Sequence, residues 1–373
     1  MLFENIPGLQ NTKSALITAV LQNHVAHAQL FHGPSGSGNL AMALAFATYL
    51  NCEDRQPQDA CGRCASCAKM NKLAHPDVHY VFPVASTKKI KENESDAFMP
   101  LWRSFMAEQP FGNLANWLEH IGVEGNKQGN ISAEEARNVI KKVSLKAFEG
   151  EYKILILWLP EMLNTYSANA LLKILEEPPA KTIFLLVCND ANKLISTIIS
   201  RTQRLYIPAF SEKDIEGYLV NKQDISLPRA KQIAYLSAGN MTEALALATQ
   251  AESSQHAWFA DWMRNCYKAN VQDLVPRADQ FDGMKKEIQK HILEYGLSIF
   301  RDLFLFQNGA GQLVRLEGDE MTFVQNFAKA ILPQRVELIV KELNDAHYHL
   351  ERNGRAKIIF LDISLNIAKL MKR

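Results

Sequence analysis

The sequence has no surplus of charge of either sign: 41 Lys and Arg stand against 40 Asp and Glu, a formal net charge of +1 over 373 residues. A chain that held nucleic acid by its overall field would show a basic excess, so any such contact has to come from a local patch or from partners. Long apolar runs are missing as well. The longest, residues 154–160 and 183–188, fall far short of the ~20 residues that a bilayer-spanning helix needs. Residues 1–8 lack a charged segment followed by an apolar one and do not read as a secretory signal, so a soluble, cytoplasmic protein is expected. Cysteines number only six. In a reducing compartment, four of them standing close together suggest metal rather than disulfides. Internal repeats and low-complexity tracts are absent. What remains is 47% hydrophobic and 22% charged residues, enough apolar material for several cores. The length predicts two or three domains.

The first two hundred residues alternate strand-like and helix-like segments. Residues 29–32 form a short, mostly apolar run that enters a glycine-rich turn, and 40–50 follow with helical spacing and no breaker. Residues 154–159 and 183–188 have the length and composition of strands buried on both faces. Between them, 167–177 reads as a helix stopped by Pro178-Pro179. This alternation predicts a doubly wound parallel α/β sheet. Residues 86–129 interrupt it: a stretch with Lys88, Lys89, Lys91, Glu92 and Glu94 precedes Trp102, Phe105, Phe111 and Trp117 at roughly helical spacing. An inserted pair of short helices packing its aromatics on the parent domain is expected there; the alternative is a partner-binding surface. Beyond Pro208 no further strand is expected. Ser211 suits an N-cap for 212–220, 228–238 forms a second helix closed by Gly239-Asn240, and 242–251 a third. Long amphipathic helices, 288–306 and 333–350 among them, continue to the end. The expected organisation is an α/β domain over 1–208, a helical lid over 209–252 and an all-helical domain over 254–373.

Cys52, Cys61, Cys64 and Cys67 follow the pattern C-x8-C-x2-C-x2-C. Two-residue gaps let neighbouring thiolates turn toward one ion, and four sulfurs close a tetrahedral shell with no open position, as in structural zinc sites. The alternatives are unrelated buried thiols or a redox pair at Cys64 and Cys67, and neither explains four cysteines within sixteen positions. Cys188, inside an apolar strand, and Cys266, in a helix, read as core residues.

Gly33-Pro34-Ser35-Gly36-Ser37-Gly38-Asn39-Leu40 has the backbone of a phosphate-binding loop, G-x-x-x-x-G-K-[ST], with a strand before it and a helix after it. In that motif the lysine neutralises the β/γ-phosphates and the hydroxyl holds magnesium. Here those positions are Asn39 and Leu40. The strand over 154–157 leads into Trp158-Leu159, where an ATPase would place an Asp-Glu pair. Glu161 comes two residues late, after a proline. The loop therefore speaks for ancestry and not for activity.

Asn169-Ala170-Leu171-Leu172-Lys173-Ile174-Leu175-Glu176-Glu177-Pro178-Pro179 resembles the NALLKxLEEPP segment of the AAA+ clamp-loader family. The cysteine module followed by His75-Pro76-Asp77 is similar to that of the bacterial gamma/tau and delta-prime types, and Ser200-Arg201-Thr202 to the family's SRC motif. The resemblance covers residues 1–250; beyond them it is helical pattern and length. It implies a P-loop NTPase-like (AAA+) domain with an embedded zinc module at 52–67, a lid, and a helical collar that joins five subunits in a ring. Gamma/tau subunits keep the loop lysine and hydroxyl, the Asp-Glu pair and an arginine in the lid motif G-x-x-R-x-A-L. This chain has Thr242 in place of that arginine and retains only Arg201. The departures place it with the non-hydrolysing delta-prime type. What the resemblance then implies is an Arg201 that, with Ser200, serves ATP bound on a neighbouring gamma/tau subunit. Structural zinc is the implied cofactor, and the degenerate loop of Gly33, Gly38, Asn39 and Leu40 is not expected to handle ATP. Implied partners are gamma/tau, delta, and through them the sliding clamp and primed DNA. The alternatives are an active gamma/tau-type ATPase, which Asn39, Leu40 and Trp158-Leu159 argue against, and a zinc module that binds nucleic acid alone. The latter calls for a basic face that the near-neutral charge does not favour.

Overall fold

The computed structural model describes residues 1–123, 128–249, 252–269, 271–284, 286–314, 316, 318–352 and 354–371. The chain divides into two units. One comprises Met1–Ala230 with Ser237–Leu245, the other Lys231–Leu236 with Ala246–Arg373.

The first unit begins with α1 (Gln10–Leu21), β1 (Ala28–His32), α2 (Asn39–Leu50), α3 (Ala65–Asn71) and β2 (Val78–Val81). The insertion follows as α4 (Ser95–Glu108) and α5 (Leu114–His120), and then α6 (Ala133–Ser144) and β3 (Lys153–Trp158). The alternation resumes with α7 (Thr165–Glu176), β4 (Thr182–Cys188), α8 (Ser196–Ile199) and β5 (Gln203–Tyr206). The helices α9 (Glu212–Gln223), α10 (Leu227–Leu236) and α11 (Met241–Thr249) come next. Ser211 caps α9, its hydroxyl accepting the Asp214 N–H. Residues 250 and 251, the expected end of the third of these helices, and 124–127 of the insertion lie outside the described residues.

The five strands are parallel and ordered β2-β3-β4-β1-β5. β3 and β4 are buried along their whole length, which is why both read as unbroken apolar runs. They pair in register from Lys153 opposite Thr182 to Trp158 opposite Val187. Alternate residues serve opposite faces. Leu30, Leu155, Leu157, Phe184 and Leu186 share a core with Val139 of α6 and Leu171 of α7, while Phe31 meets Phe46 of α2 at 6.1 Å. Every residue of α2 is buried, as a helix apolar all round should be. β2 and β5 escape the sequence reading because they are four-residue strands with polar members, His79 in one and Gln203 and Arg204 in the other. β5 is also exposed for most of its length.

The inserted helices pack their aromatics inward. Trp102 stacks on Phe82 at 4.2 Å, meets Trp117 edge-on at 5.1 Å and touches Trp158 at 5.2 Å. The Trp117 indole N–H donates to the Pro83 carbonyl at 2.7 Å, so the buried ring leaves no orphan donor.

The second unit is helical over its described residues: α12 (Glu252–Lys268), α13 (Val271–Asp282), α14 (Lys286–Gln307), α15 (Gly318–Ala330), α16 (Pro333–Glu351) and α17 (Ala356–Met371). Its core joins Phe259, Trp262, Phe300, Leu343 and Phe360, with Cys266 buried among them. Trp262 donates its indole N–H to Ser364 at 2.8 Å. Among the described residues no helix is long and apolar enough to cross a membrane.

Candidate functional site

Three constellations in the first unit carry the sequence motifs. The glycine loop leaves β1 at His32 and enters α2 at Asn39, the strand–loop–helix setting that a phosphate loop requires. Two of its glycines are there for lack of room. A Cβ on Gly33 would lie 1.9 Å from the Ile207 carbonyl oxygen. One on Gly36, whose φ is +79°, would lie 1.8 Å from the Asn240 side-chain oxygen. The loop is thus pressed between the exit of β5 and the start of α11, and the Met241 N–H donates to the Gly36 carbonyl at 3.0 Å.

Asn39 does not reach outward as a lysine would. Its buried amide nitrogen donates to the carbonyls of Gly33 at 2.9 Å and Cys188 at 3.2 Å, and its oxygen accepts from the Ser37 hydroxyl at 2.8 Å. Leu40 is buried and apolar, so the position of the magnesium ligand offers no oxygen. Trp158, at the end of β3, is buried against Trp102 and Phe105. Glu161 accepts the Asn189 N–H at 3.0 Å, and burial pushes its carboxyl up. The cavity left above the loop is about 30 Å³, lined among others by Ser35, Gly36, Leu40, Phe111 and Asn189. That is far below the few hundred Å³ of a pocket that encloses a ligand of nucleotide size.

Thr242, at the lid-arginine position, donates its hydroxyl to the Phe111 carbonyl. Phe111 was visible in the sequence only as one of four spaced aromatics, and Asn240 only as a helix stop; nothing local connects either to residue 36. Asn189 closes the cavity from the end of β4, where an apolar run gives no hint of a site.

Arg201 follows α8 and lies apart from this cavity. Its side chain is 29% exposed. Nε and Nη2 donate to one carboxylate oxygen of Glu176 at 3.3 and 3.2 Å, and Nη1 donates to the Thr197 carbonyl at 3.0 Å. Ser200 donates its own hydroxyl to the same carbonyl at 3.2 Å. The guanidinium therefore caps a short helix and pairs with the glutamate of the LEEPP segment. Exposed pairs of this kind hold by about 0–1 kcal/mol, so they exchange partners readily.

The four Sγ atoms of Cys52, Cys61, Cys64 and Cys67 lie within 4.8 Å of one another. Cys64 caps α3, its sulfur accepting the Cys67 N–H. The sulfurs of Cys52 and Cys61 accept N–H groups from Cys61 and Cys64 at 3.2 and 3.3 Å. Burial pushes the Cys67 thiol up and adjacent sulfurs push it further. Cys61, against the effect of burial, is brought to about 7 by the N–H groups of Arg63 and Cys64 and by its sulfur neighbours. Four thiols this close ionise together only around a cation, and amides aimed at sulfur suit thiolate ligands. The cluster could hold a metal ion. Just before β2, the buried Asp77 carboxylate accepts N–H groups from Phe148, Glu149 and Gly150 at 2.5, 2.8 and 2.7 Å. Asp77 ties the start of β2 to the segment that enters β3.

A family model described as "DNA polymerase III, delta subunit" matches residues 8–211. The chain is 26% identical over 334 residues to the DNA polymerase III subunit delta' of Yersinia pestis, covering 87% of this chain and 83% of that one. It is 25% identical over 383 residues to the DNA polymerase III subunit tau of Bacillus subtilis, covering 96% of this chain but only 60% of its relative's length. A DNA polymerase III gamma subunit-related protein from Thermotoga maritima aligns over 96% of this chain and 100% of its own, at 13% identity and a TM-score of 0.42. The family model spans more than half of the sequence, and the chain belongs to the DNA polymerase III delta-subunit family.

Proposed function

We propose that the protein is a clamp-loader subunit of the delta-prime type: it hydrolyses no ATP and lends Arg201 to ATP held by a neighbouring gamma/tau subunit. One observation carries the reading. The phosphate loop is present with a cavity of only about 30 Å³ and with Asn39 turned inward, while the Arg201 guanidinium stands apart from it, partly exposed, in a weak pair with Glu176. A nucleotide would find neither space nor cation at the loop. The guanidinium fork has the geometry to stabilise charge on a transferring phosphoryl group brought by another subunit, releasing Glu176 in exchange.

In this reading 1–208 is the AAA+-type domain, 209–252 the lid and 254–373 the collar that joins the ring. The cysteine cluster holds one structural zinc ion in a closed shell, which supplies folding energy to 52–67 and no reactive position. The partners are gamma/tau and delta subunits, and through them the sliding clamp and primed DNA, in a cytoplasmic machine. The Asn39 and Trp158 geometry weighs against an active gamma/tau-type ATPase. The test has two arms. The purified chain should show no MgATP turnover above background, and a loader reconstituted with gamma/tau, delta, clamp and primed DNA should show reduced ATP turnover when Arg201→Ala replaces the wild type. Steady turnover that co-purifies with this chain, or full activity of the alanine loader, would sink the proposal.

A further inference from the structure

We infer that the phosphate loop is still a binding site, and that its ligand is the chain's own turn from Gln109 to Asn113, which locks the loop and the start of α11 together in place of a nucleotide. Three contacts meet at this turn. Phe111, buried, presents its ring edge-on to Phe210 at 5.7 Å and Tyr218 at 5.5 Å, the residues that lead into and form α9. Its carbonyl accepts the Thr242 hydroxyl from α11. Pro110, Gly112 and Asn113 line the same small cavity as Ser35 and Gly36 of the loop. From the other side α11 bonds the loop directly, Met241 N–H to Gly36 carbonyl.

The turn is held from behind. The Gly112 N–H closes it onto the Gln109 carbonyl at 2.9 Å. The flanking helices α4 and α5 are pinned by the Trp102, Phe105 and Trp117 rings against Phe82 and Trp158. The insertion therefore has a packed base and a tip that lines the small cavity over the loop, with the Phe111 ring 3.7 Å from where a Cβ on Gly38 would stand, the arrangement of a plug. A space of about 30 Å³ is far below the few hundred Å³ of a pocket that encloses a ligand of nucleotide size, so a nucleotide must displace the tip before it reaches the loop amides. Thr242 gives the lock its reach: at a position where the family resemblance expects an arginine for nucleotide, this chain has a hydroxyl bonded to its own insertion. Restoring the lost lysine and hydroxyl of the loop would accordingly not restore nucleotide binding.

The inference rests on reading the loop as a retired nucleotide site. MgATP binding by the wild-type chain would break that reading, whereas the exchange experiment below bears on the plug alone. Amide hydrogen exchange is followed by mass spectrometry in the full chain and in Phe111→Ala. The plug predicts that protection at 33–41 and 237–245 falls about tenfold or more, with β3 and β4 unchanged. Phe111→Leu, which keeps the apolar bulk, should retain most of it. Unchanged protection at the loop in folded Phe111→Ala overturns the inference. If that variant loses β3 and β4 protection as well, Thr242→Val decides: it removes one hydroxyl from a site near the surface, and an unaltered loop there also overturns the idea. A second arm compares MgATP binding by Asn39→Lys/Leu40→Thr with and without Phe111→Ala. Binding only after the third substitution supports the plug, and equal binding by both chains refutes it.

Discussion

Helix α2 joins two sites that have kept opposite things. Before its first residue lies the glycine loop, where Asn39 and Leu40 occupy the lysine and hydroxyl positions of a phosphate-loop motif. Two residues beyond its last lies Cys52, first of a quartet that keeps all four donors. The glycines persist because neighbouring backbone and side-chain atoms press on them, at 1.9 Å for Gly33 and 1.8 Å for Gly36. The cysteines stand as a set of four, the number that would close a tetrahedral shell around one metal ion. The loop glycines thus have a packing role independent of any nucleotide, while the cysteine quartet is an arrangement suited to ligands.

The contrast breaks most easily at the cysteines. Cys64→Ser should empty the site, and because structural zinc contributes apparent binding energies of about 10–16 kcal/mol to local folding, the segment 52–72 should lose its exchange protection while the sheet holds. Elemental analysis and hydrogen exchange read both effects. A wild-type chain without metal, or a serine variant with undiminished metal, would refute the closed-shell reading.

The next effect belongs to Arg201. Loss of a trans-acting arginine costs on the order of a thousandfold at the site it serves. The reconstituted loader should show a smaller fall in clamp-stimulated ATP turnover, because Arg201 would serve only one of several ATP sites. Arg201→Lys should rescue poorly, since a point charge does not reproduce the fork. Assembly and metal content should not change in either variant.

Trp158 tests whether the vanished acidic station has become a packing station. Trp158→Ala removes a buried ring from the cluster of Trp102 and Phe105 and should cost about 3–5 kcal/mol of stability, read by denaturant unfolding of the first unit. A loss within about 0.5 kcal/mol would show the ring to be ornamental to the core.

The smallest effect lies beneath the insertion. Glu135, nearly buried, accepts the N–H of Ser95, the first residue of α4, at 2.7 Å. Burial pushes its carboxyl up to about 7 against the pull of that N–H. The folded chain holds this proton more tightly than the unfolded one, so the stability it adds is complete below about pH 4.5 and is lost as pH rises through 7. Glu135→Gln should therefore gain about 1–2 kcal/mol at pH 8 and nothing at pH 4, in thermal or urea unfolding followed at both pH values. Equal effects at the two pH values would show that titration is not involved.

The sequence by itself determined the parallel α/β class, the helical second half, the cysteine quartet and the replacement of the motif's lysine, hydroxyl and acidic residue by Asn39, Leu40 and Trp158. Each of these is a local signal. β3 and β4 are continuous apolar runs because both faces are covered, helices repeat with the 3.6-residue period, and metal ligands sit at short spacings. It also marked Arg201, through the motif around it, but not the Glu176 carboxylate that holds the guanidinium in the free chain. Tertiary structure alone decided what surrounds the loop. The contact of Thr242 with Phe111 spans 131 residues and that of Asn39 with the Cys188 carbonyl 149. No periodicity or spacing encodes such pairings. The short strands β2 and β5 belong to the same class: four residues with polar members become strands because a neighbour offers a hydrogen-bonding edge, a partner that only the folded chain supplies.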